Sequence, residues 1–278
     1  MPPEGDSIDL YTRDNMGSWD DRVPIHSASD LYDTSRLIAD PNHLSSTVRV
    51  DKSYLGDVTG KTLLHAQCHM GSDTLSWAKL GARVTGIDFS APALEAARDT
   101  ASQLGIEARF IESELYASPD ALNEEFDIVY TGVGAINWLP DISRWARVMA
   151  SFTRSGGTFY MREAHPLVWA LDWERDDDLI SVTEHYFERA TPATWHEPVT
   201  YAGEGTLEHD TIHSWNHGLA EIFNALWIAG FSIDLFEEHQ FLDWKALPHM
   251  TESDGLWTLP ESQRDLVPLM YSLRATKK

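Results

Sequence analysis

Residues 62–90 constrain the fold more than any other stretch, because they read as strand, tight turn, helix and second strand. Residues 62–68 form a mostly apolar run of strand length, and Gly71 lies in the turn that follows. A helical stretch leads to a second apolar run at 84–87, which ends at Asp88. A unit this compact requires parallel strands with a right-handed crossover. Ligands of such sheets bind at the carboxyl ends of the strands, so Gly71 and Asp88 are expected to meet there.

The first turn indicates which kind of nucleoside ligand the unit binds. The dinucleotide fingerprint needs three glycines so that the backbone can approach a pyrophosphate. Here the turn reads Gln67-Cys68-His69-Met70-Gly71, with glycine only at its end. Asp88 follows Gln67 by 21 residues, about the spacing of a carboxylate that accepts ribose hydroxyls. A nucleoside without phosphates, such as S-adenosylmethionine (SAM), therefore fits better than NAD.

Further motifs follow in order across residues 60–165, and with them the chain resembles the class I SAM-dependent methyltransferases. The first loop is similar to an actinobacterial-type small-molecule methyltransferase subgroup that reads LHxQCHxG. The resemblance implies an α/β fold with a doubly wound, seven-stranded, mostly parallel Rossmann-like sheet whose seventh strand is antiparallel. The matching segments are RFIESE (109–114), FDIVYT (126–131), NWLPD (137–141) and SGGTFY (155–160).

The same resemblance implies SAM as cofactor, with S-adenosylhomocysteine as product, and a set of binding residues. Asp88 would accept the ribose hydroxyls, Glu114 the adenine amino group, and the Leu115 N–H would serve the ring nitrogen. The predicted cofactor-binding residues are Trp19, His26, Gln67, Gly71, Asp73, Asp88, Phe89, Glu114, Leu115 and Thr131.

Two segments are expected to cover the site. Residues 1–59 are too aromatic for a disordered tail and are predicted to form an N-terminal helical lid over the methyltransferase domain at 60–278. The alternative is that the aromatic residues only pack this segment against the rest of the protein. An antiparallel insertion at about 166–215 would build the substrate wall. Its acidic run at 172–178 is interpreted as solvated surface.

The fifth strand is predicted to deliver the catalytic residues, Glu163 and His165, next to the methyl group of the cofactor. A general base there would remove a proton from the acceptor. His165 is alternatively a strand-end residue bonded to a loop, and the competing bases are His69 and the group His213, Asn216 and His217. The predicted substrate residues are Tyr32, Trp138, Trp215 and His217. No metal site is predicted, because the spacing of His213 and His217 straddles a helix start.

Charge and composition narrow the partners. The net charge is −23, from 44 acidic and 21 basic residues, which argues against nucleic acid and anionic membrane surfaces and tolerates a cationic substrate. A single cysteine allows no internal disulfide and fits a cytoplasmic location. The residues 1–10 resemble no signal peptide, and no run has the length of a membrane helix. The oligomeric state is left open, a homo-oligomer included.

The leading prediction is thus a SAM-dependent methyltransferase of specialised metabolism. Its acceptor is expected to be a small aromatic or indole-type amine, methylated on N or C, since the protein is acidic and rich in aromatic residues. O-Methylation of a phenol or carboxylate is the nearest alternative. Two other classes remain open, an NAD-dependent oxidoreductase and a non-catalytic SAM-binding protein.

Overall fold

A computed structural model describes residues 5–175, 177 and 179–278, and it describes side chains from Leu10 onward. The described residues form twelve strands and nine α-helices. The strands are β1 (Thr62–Ala66), β2 (Arg83–Asp88), β3 (Arg109–Glu112), β4 (Phe126–Thr131), β5 (Thr153–Ala164), β6 (Ala193–His196), β7 (Thr211–Ser214), β8 (Phe231–His239), β9 (Phe241–Leu242), β10 (Thr251–Ser253), β11 (Leu256–Thr258) and β12 (Met270–Lys277). The helices are α1 (Gly5–Ser27), α2 (Thr34–Ala39), α3 (Ser46–Leu55), α4 (Ser72–Lys79), α5 (Ala91–Leu104), α6 (Ser118–Ala121), α7 (Ile142–Phe152), α8 (Pro166–Trp169) and α9 (Leu219–Ile228).

Seven of the strands form the central sheet in the order β3-β2-β1-β4-β5-β12-β8. β1 to β5 pair in parallel, whereas β12 is antiparallel to both of its neighbours, β5 and β8. β1 and β4 are almost wholly buried, as expected for central parallel strands that carry helices on both faces. The predicted seven-stranded, doubly wound fold is confirmed, and its order brings the carboxyl ends of β1, β2 and β4 together.

The helices of the N-terminal segment have different surroundings: α1 packs over the β6–β7 hairpin, whereas α3 is part of the core. In α1, the Asn15 side chain donates to the His213 carbonyl at 2.9 Å and accepts from the His213 N–H at 2.8 Å. Arg22 pairs with Glu197 at 3.1 Å, so α1 is tied to the β6–β7 hairpin. α3 instead lies in the core, where Val48 packs beside β1 and β4. Residues 1–59 therefore do not form a single lid, because α3 packs against the central sheet.

A buried ion cluster anchors α3 to the sheet. Arg162 of β5 is fully buried, and its Nε donates to Asp51 of α3 at 2.6 Å. The other end of the guanidinium bonds to Asp243. The Asp51 carboxylate also accepts from the Tyr130 hydroxyl at 2.7 Å. Since each charge has a partner, the cluster is tolerated in a dry environment that would reject a lone charge.

The insertion after β5 is only partly the predicted antiparallel ribbon. β6 and β7 form an antiparallel hairpin, but the stretch at 180–187 contains no strand and makes a single bridge, from Val182 to Leu171. In the acidic run at 172–178, Asp176 and Asp178 lie outside the described residues. A small antiparallel sheet of β10, β11 and β9 was not predicted. Among the described residues, no helix is long and apolar enough to cross a membrane.

Candidate cofactor and acceptor site

An open cleft of about 470 Å³ lies at the carboxyl ends of the central strands. The residues lining it come from α1 and from the loops that follow β1, β2, β3 and β4. They are Thr12, Asn15, Gln67, Ile87, Asp88, Phe89, Ser113, Glu114, Leu115, Trp138, Leu139 and Pro140. Two carboxylates and no lysine or arginine are among these lining residues, so the cleft favours an uncharged nucleoside over a pyrophosphate.

The first loop, residues 67–71, follows an unusual backbone path at one side of the cleft. Gln67, His69 and Gly71 have φ values of 57°, 47° and 73°. All three lie in the left-handed region, which glycine enters without strain and other residues rarely adopt. The loop therefore takes a path suited to glycine while presenting a glutamine and a histidine side chain. Such local strain is held by the surrounding structure and concentrates at functional sites.

Asp88 links this loop to the end of β2. Its Oδ2 accepts from the His69 N–H at 2.7 Å, and its Oδ1 accepts from the Ser90 N–H at 2.9 Å. Burial raises the pKa of Asp88 to about 6, against the opposing effect of these N–H donors. Each carboxylate oxygen has a further lone pair, and the residue lines the cleft. Asp88, the predicted ribose acceptor, therefore has lone pairs available at the cleft.

The other predicted nucleoside contacts also line the cleft. Phe89 follows Asp88, and Glu114 with Leu115 follows β3. The Glu114 Oε2 accepts from the Ala117 N–H at 3.0 Å, which caps the 3₁₀ turn Leu115–Ala117 and fixes the start of that turn. This cap leaves the second carboxylate oxygen of Glu114 for a ligand.

Several buried polar atoms near the end of β1 and β4 lack protein partners. They include Gln67 Oε1, His69 Nε2 and Thr131 Oγ1. An unsatisfied buried polar atom costs about 1–3 kcal/mol, so such a set is expected where a polar ligand supplies the missing bonds. Thr131 is directly opposite Ala66 in the register of β4 and β1, which places it beside the first loop.

An aromatic cluster, defined here as Trp19, His26, Tyr32, His69 and Trp138, adjoins the cleft. The Trp19 ring packs edge-on against His69 and Trp138, with centroids 5.0 and 5.4 Å apart. His26, His69 and Tyr32 stack on one another at 4.8 to 5.4 Å. Residues of α1 and of the segment between α1 and α2 thereby contact the first loop and the loop that follows β4, called the β4 loop below. These contacts agree with the expected position of Trp19, His26 and Tyr32 over the site.

The two histidines of this cluster are held neutral. Burial lowers the pKa of His26 to about 3 and that of His69 to about 4, helped by the positive charge of Arg22. The His69 Nδ1 accepts from the Met70 N–H at 2.6 Å, so the ring proton is on Nε2. Among the described residues, that N–H has no acceptor, so it is available as a donor. His69 is therefore a hydrogen-bond donor rather than a base.

Sequence comparison finds that part of the chain is similar to known methyltransferases. Residues 63–157 match the profile of the methyltransferase domain family. An O-methyltransferase of ubiquinone biosynthesis from Shewanella pealeana is 30% identical over 102 residues, which are 37% of this chain and 43% of that protein. A similar protein from Aeromonas salmonicida is 29% identical over 123 residues, 44% of this chain and 51% of that protein. The chain spans about half or less of the length of these curated relatives.

Solved structures show that the fold is shared beyond this segment. A SAM-dependent methyltransferase from Mesorhizobium loti superposes with a TM-score of 0.58 at 18% identity, covering 82% of this chain and 96% of that chain. A glycopeptide N-methyltransferase crystallised with SAM superposes with a TM-score of 0.52 at 17% identity, covering 83% and 92%. More than four fifths of the chain therefore shares the Rossmann-like fold of these methyltransferases.

Glu163 does not have the geometry of a base in this methyltransferase domain. It is 1% exposed, and its carboxylate accepts three backbone N–H groups of the β4 loop, from Gly134, Ala135 and Ile136, at 2.7 to 3.0 Å. Burial raises the pKa of Glu163 to about 7, while these donors oppose the shift. The structure thus gives Glu163 a structural role, since the side chain shapes the loop that carries Trp138, and its role as a base stays a prediction.

His165 is likewise directed away from the cleft. Its Nδ1 accepts from the Leu167 N–H at 3.1 Å and caps α8, and its Nε2 lies 3.2 Å from Glu238. Both ring nitrogens are therefore engaged, and the alternative interpretation of His165 as a strand-end residue bonded to its neighbours is correct. The physical reason is the direction in which the two side chains point. Glu163 faces the loop after β4, and His165 faces Glu238 of β8, so neither side chain faces the first loop.

The predicted substrate residues separate into two groups. Tyr32 and Trp138 belong to the aromatic cluster, whereas Trp215 and His217 line a second cavity of about 200 Å³ beyond the β4 loop. The backbone N–H of Trp215 donates to the Asn137 carbonyl at 2.8 Å, so this cavity lies on the side of the β4 loop that faces away from the cleft. His213 bonds to Asp14 and Thr194, and does not meet His217.

Two predicted cofactor residues have other surroundings, and the two lining residues of α1 were missed. A Cβ on Gly71 would lie 2.9 Å from the Ala97 Cβ, so this glycine serves the packing of the loop on α5. Asp73 lies near Gly132, below the cleft lining, with its pKa raised by burial to about 6. Thr12 and Asn15 of α1 line the cleft, and no sequence motif indicated them.

Proposed function

We propose that the protein is a SAM-dependent methyltransferase that acts on a small aromatic acceptor. The observation that carries the proposal is the cleft itself: Asp88 lines it at the end of β2, and its lining residues include no cation. A ribose needs a carboxylate there, and a dinucleotide would need donors for its phosphates. The match of residues 63–157 to the methyltransferase domain family supports the same conclusion.

The residues present fit SAM. Asp88 would hold the ribose, Glu114 and Leu115 the adenine, and the unpartnered His69 N–H would donate to the methionine carboxylate. Gln67 Oε1 and Thr131 Oγ1 are acceptors for the methionine amino group. The bound cofactor would supply an electrophilic methyl group on a sulfonium.

The aromatic cluster is the proposed acceptor site. Flat rings of Trp19, Tyr32 and Trp138 suit an aromatic acceptor, and aromatic faces can add about 0.5–2 kcal/mol beside a cation. An indole-type amine methylated on N or C is our preferred acceptor. The names of the ubiquinone-biosynthesis relatives favour O-methylation of a phenol as the second candidate.

Catalysis is proposed to depend on positioning more than on a base. Burial holds His26 neutral, with a pKa of about 3, which makes it a weak proton acceptor. Holding the acceptor in line with the methyl group can supply roughly 7–11 kcal/mol, against about 3–5 kcal/mol from a general base. We further propose a role in specialised metabolism, a cytoplasmic location, membership of the LHxQCHxG subgroup and a lid function for α1.

Calorimetric titration tests the cofactor, and a methylation screen tests the reaction. We expect SAM and S-adenosylhomocysteine to bind and NAD not to bind. A screen over indoles, phenols, amines and carboxylic acids should then reveal an acceptor by S-adenosylhomocysteine release. Tight NAD binding without SAM binding would indicate the oxidoreductase, and SAM binding without turnover on any acceptor would indicate a non-catalytic protein.

A further inference from the structure

A group of three metal-ligating side chains lies outside the cofactor cleft. It is made of Glu188 in the insertion, His217 before α9 and Glu221 in the first turn of α9. One ligand atom from each residue lies within 4.8 Å of the other two. His217 Nδ1 is 3.4 Å from Glu221 Oε2 and 3.8 Å from Glu188 Oε1. We refer to these three residues as the Glu-His-Glu cluster.

The orientation of His217 points to a ligand. Its Nε2 lies 2.8 Å from the Leu139 carbonyl, which can only accept, so Nε2 carries the proton. Nδ1 is then the nitrogen that presents a lone pair, and among the described residues it makes no hydrogen bond of normal length, the Glu221 carboxylate being 3.4 Å away. The side chain is fully buried and aimed at the two carboxylates. A metal-ligating histidine usually donates its other N–H to a carbonyl or carboxylate in this way.

Two carboxylates face the same imidazole nitrogen, and the three ligand atoms lie within 4.8 Å of one another. A divalent cation between the carboxylates would offset their mutual repulsion. Asp141 adds to the negative charge around Glu188. The Glu188 and Glu221 side chains are 31% and 28% exposed, so an ion can reach both of them.

We propose that the Glu-His-Glu cluster binds one divalent transition-metal ion, with Zn²⁺ and Mn²⁺ as the best fits. One imidazole nitrogen and two carboxylate oxygens suit these ions better than Ca²⁺ or Mg²⁺, which prefer oxygen alone. At metal–ligand distances of about 2.0–2.2 Å, tetrahedral ligand atoms lie roughly 3.3 Å apart. The Nδ1–Glu221 distance of 3.4 Å already matches, and a small rotation of Glu188 brings in the third ligand.

The ion would connect parts of the chain that border both cavities. Glu188 belongs to the insertion, and His217 holds Leu139, which lines the cofactor cleft. Three protein ligands leave a fourth position for water. Binding of the ion would fix the insertion and α9 against the loop after β4.

Calorimetry of the metal-free full-length chain tests the proposal. We expect one equivalent of Zn²⁺ or Mn²⁺ to bind with micromolar or tighter affinity, and Mg²⁺ and Ca²⁺ to bind at least tenfold more weakly. Glu221→Gln and Glu188→Gln keep size and are partly exposed, so both should fold. Each should weaken Zn²⁺ and Mn²⁺ binding at least about tenfold, since the loss of a residue that only supports a ligand already costs roughly 10- to 100-fold.

Glu184→Gln is the matched control, since Glu184 is an exposed acid of the same insertion. It should bind like the wild type. The thermal unfolding temperature should rise on addition of Mn²⁺ in the wild type and in Glu184→Gln, but not in Glu221→Gln. No stoichiometric binding to the wild type, or unchanged binding in Glu221→Gln, would overturn the proposal and leave a cluster held by shared protons. SAM binding is measured separately, so neither result depends on the proposed methyl transfer.

Discussion

Glu163→Gln is the most informative substitution, because it separates a structural carboxylate from a catalytic base. In the structure, Oε1 accepts from two N–H groups and Oε2 from the Gly134 N–H at 2.8 Å. The glutamine carbonyl can keep the two bonds, but its NH₂ group would face the Gly134 N–H. The lost bond and the opposed donors should lower the free energy of unfolding by about 1–3 kcal/mol at pH 5.

The pH dependence gives a second and sharper measure. Burial raises the pKa of Glu163 from 4.5 to about 7, so between these values the folded protein keeps a proton that the unfolded chain has released. The stability from this proton is complete below pH 4.5 and is lost as the pH rises through 7. The loss amounts to roughly 3 kcal/mol at about 1.4 kcal/mol per pKa unit. Glutamine does not titrate, so the variant should lack this part of the decline.

Urea unfolding of both proteins at pH 5, 6, 7 and 8 measures the difference, with Glu125→Gln as an exposed control. Because the other titrating carboxylates are common to both proteins, the difference isolates Glu163. SAM affinity should also fall, since the loop that carries Trp138 depends on this carboxylate. Equal pH dependence in the two proteins would refute the reasoning. A 100-fold lower kcat with unchanged stability and SAM affinity would instead restore Glu163 as the base.

Three further predictions follow from other parts of the structure. Asp88→Asn should weaken SAM binding by about 10- to 150-fold in calorimetry, because a charge-assisted bond is worth roughly 1.5–3 kcal/mol; Glu112→Gln on the neighbouring strand should not, and equal affinities would move the nucleoside away from β2. His69→Asn tolerates the left-handed backbone but lacks the Nε2 donor, so SAM should bind about tenfold more weakly, and wild-type affinity would remove the carboxylate contact. Asp51→Asn should lower the free energy of unfolding by about 3–5 kcal/mol in urea titration, because it leaves the fully buried Arg162 short of a counter-charge; a loss below 1 kcal/mol would show that Asp243 suffices.

The strand, helix and strand at residues 62–90 were predictable because their signals are local. Apolar runs of strand length, a helix between glycines and an acid after the second strand need no distant information. The same signals placed Gly71 and Asp88 at one edge, since carboxyl ends of parallel strands meet there, and the family resemblance added Glu114 and Leu115. The left-handed path of the first loop was not predictable, because a glutamine and a histidine occupy positions where glycine would signal it.

The sequence by itself thus determined the first strand-helix-strand unit and, through the family resemblance, the seven-stranded sheet. Only the tertiary structure decided the strand order and what the side chains at the end of β5 do. Residues two apart on a strand share a face, but the partner across that face depends on how the sheet and its loops pack, and Glu163 meets backbone N–H groups some 28 residues away. The Glu-His-Glu cluster and the aromatic cluster likewise join segments far apart in the chain. Such contacts depend on three-dimensional packing, which no local pattern encodes.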